Sequence, residues 1–179
     1  RPSTRARVRP VEEHQPINLP LAPGWALTLG SFGKACVLVG MALFVLAILA
    51  FVFDRRSKGR IGAWLMGFGC ASIAGAFTSL AILFVQDQFQ FKYVYAHSEK
   101  QNAFAYKIAA IWSGQEGSFL LWALASSVFL MLTLRGTGPY LRAFGAVGAF
   151  FLAAICGILA YESPFLTQAG PDGVLYLLP

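Results

Sequence analysis

Four stretches of the chain are apolar for long enough to cross a bilayer. The hydrocarbon core is about 30 Å thick, so a spanning helix needs roughly 20 mostly apolar residues. The windows are 32–53, uncharged after Lys34; 61–86, with no charge at all; 117–134; and 141–161, charged only at Arg142. Buried helices of a soluble protein are the competing reading. Four such runs in 179 residues leave too little polar surface to coat a soluble fold. The pattern therefore predicts an all-α integral membrane protein with four transmembrane helices.

The polar stretches between the spans differ in kind. Segment 87–116 is long for a helix connection and dense in aromatics, among them Phe89, Phe91, Tyr93, Tyr95, Phe104, Tyr106 and Trp112. Such rings collect at a membrane–water boundary. Phe104, Ile108 and Ile111 stand at i, i+4 and i+7, which predicts a short amphipathic helix facing outward between spans two and three. The lead-in 1–23 carries Pro2, Pro10, Pro16, Pro20 and Pro23 among its arginines and reads as a disordered basic tail. The remainder, 24–179, reads as one four-span module. The chain starts with arginine and stops just after Leu177 and Leu178, which suggests a piece of a longer protein.

Composition sharpens this picture. Hydrophobic residues make up 57% and charged residues 12%, with a mean hydropathy of +0.62. About 25% charged is ordinary for a soluble domain. The net charge of +6 does not fall on one long face, so nucleic acid is not expected as a partner. Cys36, Cys70 and Cys156 all lie inside apolar runs, which argues against a disulfide framework and a zinc site, and no metal centre is expected. Loop 54–60 carries Arg55, Arg56, Lys58 and Arg60, and Arg135 lies beside the next short loop. Basic residues in short loops face the cytoplasm. That places the N-terminus and segment 87–116 on the opposite, outer face.

Two spans carry small residues every fourth position: Gly67, Ala71, Gly75 and Ser79 in the second, and Gly145, Ala149, Ala153 and Gly157 in the fourth. Such stripes let helix backbones approach closely in lipid. Candidate chemistry concentrates before the third span. There Gly114 and Gly117 bracket Gln115 and Glu116, a pattern for a tight turn into a helix. Ser113 or Ser118 is available as its N-cap, and Glu116 is well placed at the positive helix end. His97 is the histidine outside the tail and a possible haem ligand, although a lone histidine in a polar loop is more often solvated. No nucleophile–base pair is visible, so no catalytic residue is assigned.

The run 106–122, YKIAAIWSGQEGSFLLW, resembles the signature before the third span of the CcmF/NrfE family of cytochrome c-type biogenesis proteins. So does YVYAHS at 93–98, and SPF at 163–165 with Asp172, Gly173 and the closing leucines. The resemblance implies a bacterial inner-membrane protein with many more spans, acting as a haem lyase. It would take haem from a haem chaperone, work with other cytochrome c maturation subunits, and help attach haem to the CXXCH cysteines of apocytochrome c. The haem-ligating histidines of that family would lie beyond Pro179, and the piece in hand would be inactive alone. Gln115 stands where many members carry histidine. The residues assigned to haem handling are His97, Lys107, Trp112, Gly114, Glu116, Gly117 and Trp122. On that reading the tryptophans offer aromatic faces and the glycines permit the turn. Lys107 pairs with Glu116 or with a haem propionate. A non-catalytic scaffold of the assembly complex is the first alternative. A transporter is the second, and it would call for an ionisable residue deep in a span.

Overall fold

A computed structural model describes residues 23–54, 56–101 and 103–167. The basic tail, Arg55 and the closing stretch with Asp172 and Gly173 lie outside the described residues. The described chain is helical, with one isolated bridge between Phe91 and Thr167. The elements are α1 (Gly24–Phe53), α2 (Arg60–Val85), α3 (Lys92–His97), α4 (Phe104–Ala110), α5 (Gln115–Leu134) and α6 (Leu141–Tyr161). α1, α2, α5 and α6 are long and apolar enough to cross a membrane.

α2, α5 and α6 fall within two residues of their expected bounds, but α1 begins at residue 24 rather than 32. Pro23, extended at φ −65° and ψ 132°, stops the helix there. Thirty residues at about 1.5 Å each make a helix of roughly 45 Å, longer than the hydrocarbon core. Hydropathy found the part that needs lipid. The first two turns hold Gly24, Thr28 and Gly30, less apolar than the later turns; Gly30 seats on Phe91 of the segment between α2 and α5, while Gly24 and Thr28 stay exposed.

α1 and α2 pack antiparallel along a heptad seam. On α1 the buried positions include Gly30, Gly33, Val37, Gly40, Phe44, Ala47 and Phe51, with Ala26 and Cys36 buried beside them. On α2 they include Gly62, Met66, Gly69, Ile73, Ala76, Leu80 and Leu83, with Cys70, Ser79 and Phe84 buried beside them. Both sets alternate steps of three and four, the spacing that keeps one face toward a partner helix. The Phe51 ring occupies the space where Gly62 lacks a Cβ: a methyl there would sit 2.7 Å from it. Phe44 does the same at Gly69, at 2.6 Å. Phe51 also presses on Gly145 of α6, at 2.5 Å, so one ring joins three helices. Leu130 of α5 fills the notch at Gly148.

The stripes of small residues are only partly these seams. Gly145 and Ala149 are buried, but Ala71 is exposed, Gly67 meets only the Met131 methyl at 3.6 Å, and Gly157 meets nothing within 4 Å. A step of four advances about 40° beyond a full turn, so a four-spaced stripe winds off the interface within a few steps. The three-four seam does not.

The bundle has two unlike ends. At one, the α1–α2 and α5–α6 turns meet. Arg142 reaches across them, donating from Nε to Phe51 O at 2.8 Å and from Nη2 to Val52 O at 2.7 Å. Those are end carbonyls of α1 that no helical N–H can satisfy. At the other end sit the start of α1, residues 86–101 and 103–114, and residues 162–167. Phe91 seats on Gly30, Phe165 seats on Gly33, and Lys92 N donates to Leu166 O at 2.9 Å. The sequence reading put these three segments together, opposite the short basic loops.

Candidate functional site

The connecting segment is organised around Tyr93. α3 is short, and Tyr93 and His97 stand four apart on one face of it. The Tyr93 ring is buried, with Phe84 edge-on at 5.6 Å and the His97 ring at 4.5 Å between centroids. Its hydroxyl donates to Ile111 O at 3.0 Å and accepts from Gly114 N at 3.1 Å. That one phenol ties α3 to the end of α4 and the start of α5. Burial pushes its pKa up from the ordinary 10.0; hydrogen bonding to Gly114 and Gly117 opposes this, and the nearby Glu116 charge adds to it.

The two glycines are explained by this ring. A Cβ at Gly114 would lie 2.5 Å from His97 Nε2 and 2.8 Å from the Tyr93 ring. A Cβ at Gly117 would overlap both the Ile111 carbonyl oxygen and the Tyr93 hydroxyl. Only glycine lets the backbone come this close. Glu116 lies in the first turn of α5, as expected. Neither serine caps that helix. Gly114 is the N-cap residue with no side-chain bond, while Ser113 Oγ donates back to Ala110 O at 2.9 Å and Ser118 Oγ to Trp112 O at 2.8 Å. Both hydroxyls thus bond carbonyls between α4 and α5, Ala110 O accepting from Ser113 N as well, at 3.2 Å.

Lys107 pairs with Asp87 and not with Glu116. Its Nζ lies 2.6 and 2.5 Å from the two carboxylate oxygens, and among the described residues this is the ion pair present. Asp87 sits just past α2 with φ +51°, in the left-handed region. Lys107 therefore turns inward, with Ala110 and Ile111, while Phe104 is 67% exposed. Of the Phe104–Ile108–Ile111 stripe, Ile108 and Ile111 pack inward beside Lys107, and Phe104, at the start of α4, is left exposed.

The structure thus brings His97, Gly114, Gly117 and Glu116 together around Tyr93. It sets Lys107 on the other wall, against α2. Trp112 is 40% exposed beside the cluster, and Trp122 is 65% exposed on the outer face of α5, away from it. Tyr93 and Asp87 are the residues sequence reasoning missed. A signal for Tyr93 existed: two glycines three apart before a span ask for a bulky neighbour.

Haem is the group the resemblance implies, and these residues do not fit its ligation. His97 Nδ1 is 3.0 Å from Tyr93 O, and Nε2 is packed against Gly114. The Lys107 charge is held by Asp87 rather than offered to a propionate.

Comparison with known proteins supplies a family likeness. No family model matches the chain, and no solved structure matches it. It is 37% identical over 91 residues to the cytochrome c-type biogenesis protein NrfE of Haemophilus influenzae, covering 48% of this chain and 14% of that one. It is 35% identical over 100 residues to the cytochrome c-type biogenesis protein CcmF of Escherichia coli, covering 53% and 15%. With CcmF of Pseudomonas aeruginosa it is 43% identical over 73 residues, covering 40% and 11%. The resemblance read from the 106–122 run is therefore borne out. The similar stretch spans about half of this chain but only about one-seventh of the relatives' length.

Proposed function

We propose that this chain is part of a multi-pass bacterial inner-membrane protein of cytochrome c-type biogenesis. Its 87–117 end faces the periplasm and forms a rigid platform beside which haem is handled for attachment to CXXCH cysteines of apocytochrome c. The supporting observation is the Tyr93 hub, which locks Ile111, Gly114 and His97 into one unit at the mouth of α5. The role is to position. His97 and Lys107 spend their polar groups inside the chain, so the scaffold reading is favoured over direct ligation, and the haem ligands lie outside the described residues. When bound, haem supplies the vinyl groups that become thioethers. This chain's part is to present Trp112 and Glu116 to the haem-bearing region, the haem chaperone or the other maturation subunits.

The experiment replaces Trp112 and Glu116 with alanine in the intact protein and follows holocytochrome yield, haem absorbance and partner retention. A lower yield at normal protein abundance, with haem retained and partners lost, is expected. Full yield removes the assignment. Lost haem with partners retained moves the role to direct haem contact.

A further inference from the structure

The opposite end of the bundle carries a second feature, independent of the cytochrome reading. Arg56, Lys58 and Arg60 line a mouth of about 540 Å³, walled on its inner side by Ile61 and Trp64. All three cations are exposed. Among the described residues none has a carboxylate within ion-pair distance, and Asp54, the acid of this turn, accepts from the backbone N–H groups of Arg56 and Ser57. Arg142 is already taken by the end of α1.

Arg60 and Trp64 also border a second cavity of about 340 Å³, whose other walls are Met131, Leu134 and Leu141, with Arg135 on its far rim. Met131 and Arg135 in turn border a third cavity, of about 320 Å³, that runs between α2 and α5 along Ala71, Ala74 and Leu124. Each cavity shares lining residues with the next, so the three follow one another as an open surface channel beside α2, with the cations toward one end and mostly apolar walls beyond. Arg60 and Ala74 stand 14 residues apart on α2, about 21 Å at 1.5 Å per residue, longer than half the hydrocarbon core. Ala71, the member of the four-spaced stripe that no helix covers, is part of its wall.

We infer that this channel holds an anionic phospholipid, its phosphate among Arg56, Lys58, Arg60 and Arg135 and one acyl chain between α2 and α5. Free phosphate would use the mouth alone and leave the apolar length unfilled. A neutral lipid would fill the length and leave the cations unmatched. Basic residues at a membrane surface attract anionic headgroups, and pockets between spanning helices seat them. Trp64 borders both parts, so it reports on the occupant.

The test uses the full chain with Trp25, Trp112 and Trp122 replaced by phenylalanine, in phosphatidylcholine nanodiscs. A minor fraction of the lipid is acyl-brominated phosphatidylglycerol or, in parallel, acyl-brominated phosphatidylcholine. Quenching of Trp64 by the anionic lipid is expected to exceed that by the neutral one on the order of fivefold. The double substitution R60Q/R135Q should bring the two together. Should that variant fail to fold, R56Q/K58Q, both in the exposed turn, carries the same readout. Equal quenching by the two lipids in the parent overturns the inference. So does reversal of the anionic quenching by inorganic phosphate, which would make the mouth a site for the free anion.

Discussion

Lys107 holds both carboxylate oxygens of Asp87, at 2.6 and 2.5 Å, and so fixes the short α4 against the end of α2. The two side chains keep 11% and 26% of their exposure, so water screens the pair only in part. Removing one partner leaves the other charge short of solvent. Lys107→Met alone, or Asp87→Asn alone, is expected to cost about 1–3 kcal/mol, between the surface and fully buried cases. The double variant should cost less than the sum. Thermal unfolding of the four proteins in one detergent gives the coupling energy, and simple additivity would mean that the pair contributes nothing.

Two glycines on neighbouring spans should respond in opposite ways. Gly117→Ala drives a methyl into the Ile111 carbonyl, which is backbone and has no rotamer to escape to. A loss of about 3 kcal/mol is expected, with α5 displaced from Tyr93. Gly157→Ala meets nothing within 4 Å, four residues before the end of α6. It should be neutral or raise stability by roughly 0.5–1 kcal/mol, the ordinary gain of alanine over glycine in a helix. Melting temperatures of the two variants, measured side by side, decide this.

Tyr93 should set an alkaline limit. Burial favours the neutral phenol, so its pKa in the folded protein lies above the ordinary 10.0. An acid whose pKa is raised on folding contributes full stability below its unfolded value and loses it as the pH climbs through the folded one. Melting temperature should therefore hold steady up to about pH 10 and fall above it. In Tyr93→Phe that alkaline decline should shrink. The same variant should lose about 1–3 kcal/mol at neutral pH, because Ile111 O and Gly114 N lose their partner. An unchanged alkaline decline in Tyr93→Phe would remove Tyr93 as its source.

The spans were legible because lipid demands one property, sustained apolarity, that a sequence displays directly. The bounds of α2, α5 and α6 follow from it. The extra turns of α1 were not visible that way, since residues 24–31 are less apolar and their close seat is Gly30 against the Phe91 ring. The three-four spacing of the α1 face was present at 30, 33, 37, 40, 44, 47 and 51, but a search for small residues every fourth position passes over it, as Val37, Phe44 and Phe51 stand among the small residues there. At the candidate site, the glycines and the place of Glu116 were readable from local chemistry. The pairing of Lys107 with Asp87 was not, because the two are far apart in sequence and Glu116 is nearer. Tyr93 was hidden among seven aromatics, where a boundary belt explained it equally well.

Phe51 lodges between Gly62 and Gly145, on helices that leave the ribosome far apart in time. The α1–α2 hairpin is synthesised first, with the Gly145 side of that ring still uncovered. Its second seat arrives only when α6 enters the bilayer. The hairpin thus waits as an incomplete assembly, and α6, though last of the four in order, is the helix whose arrival closes it.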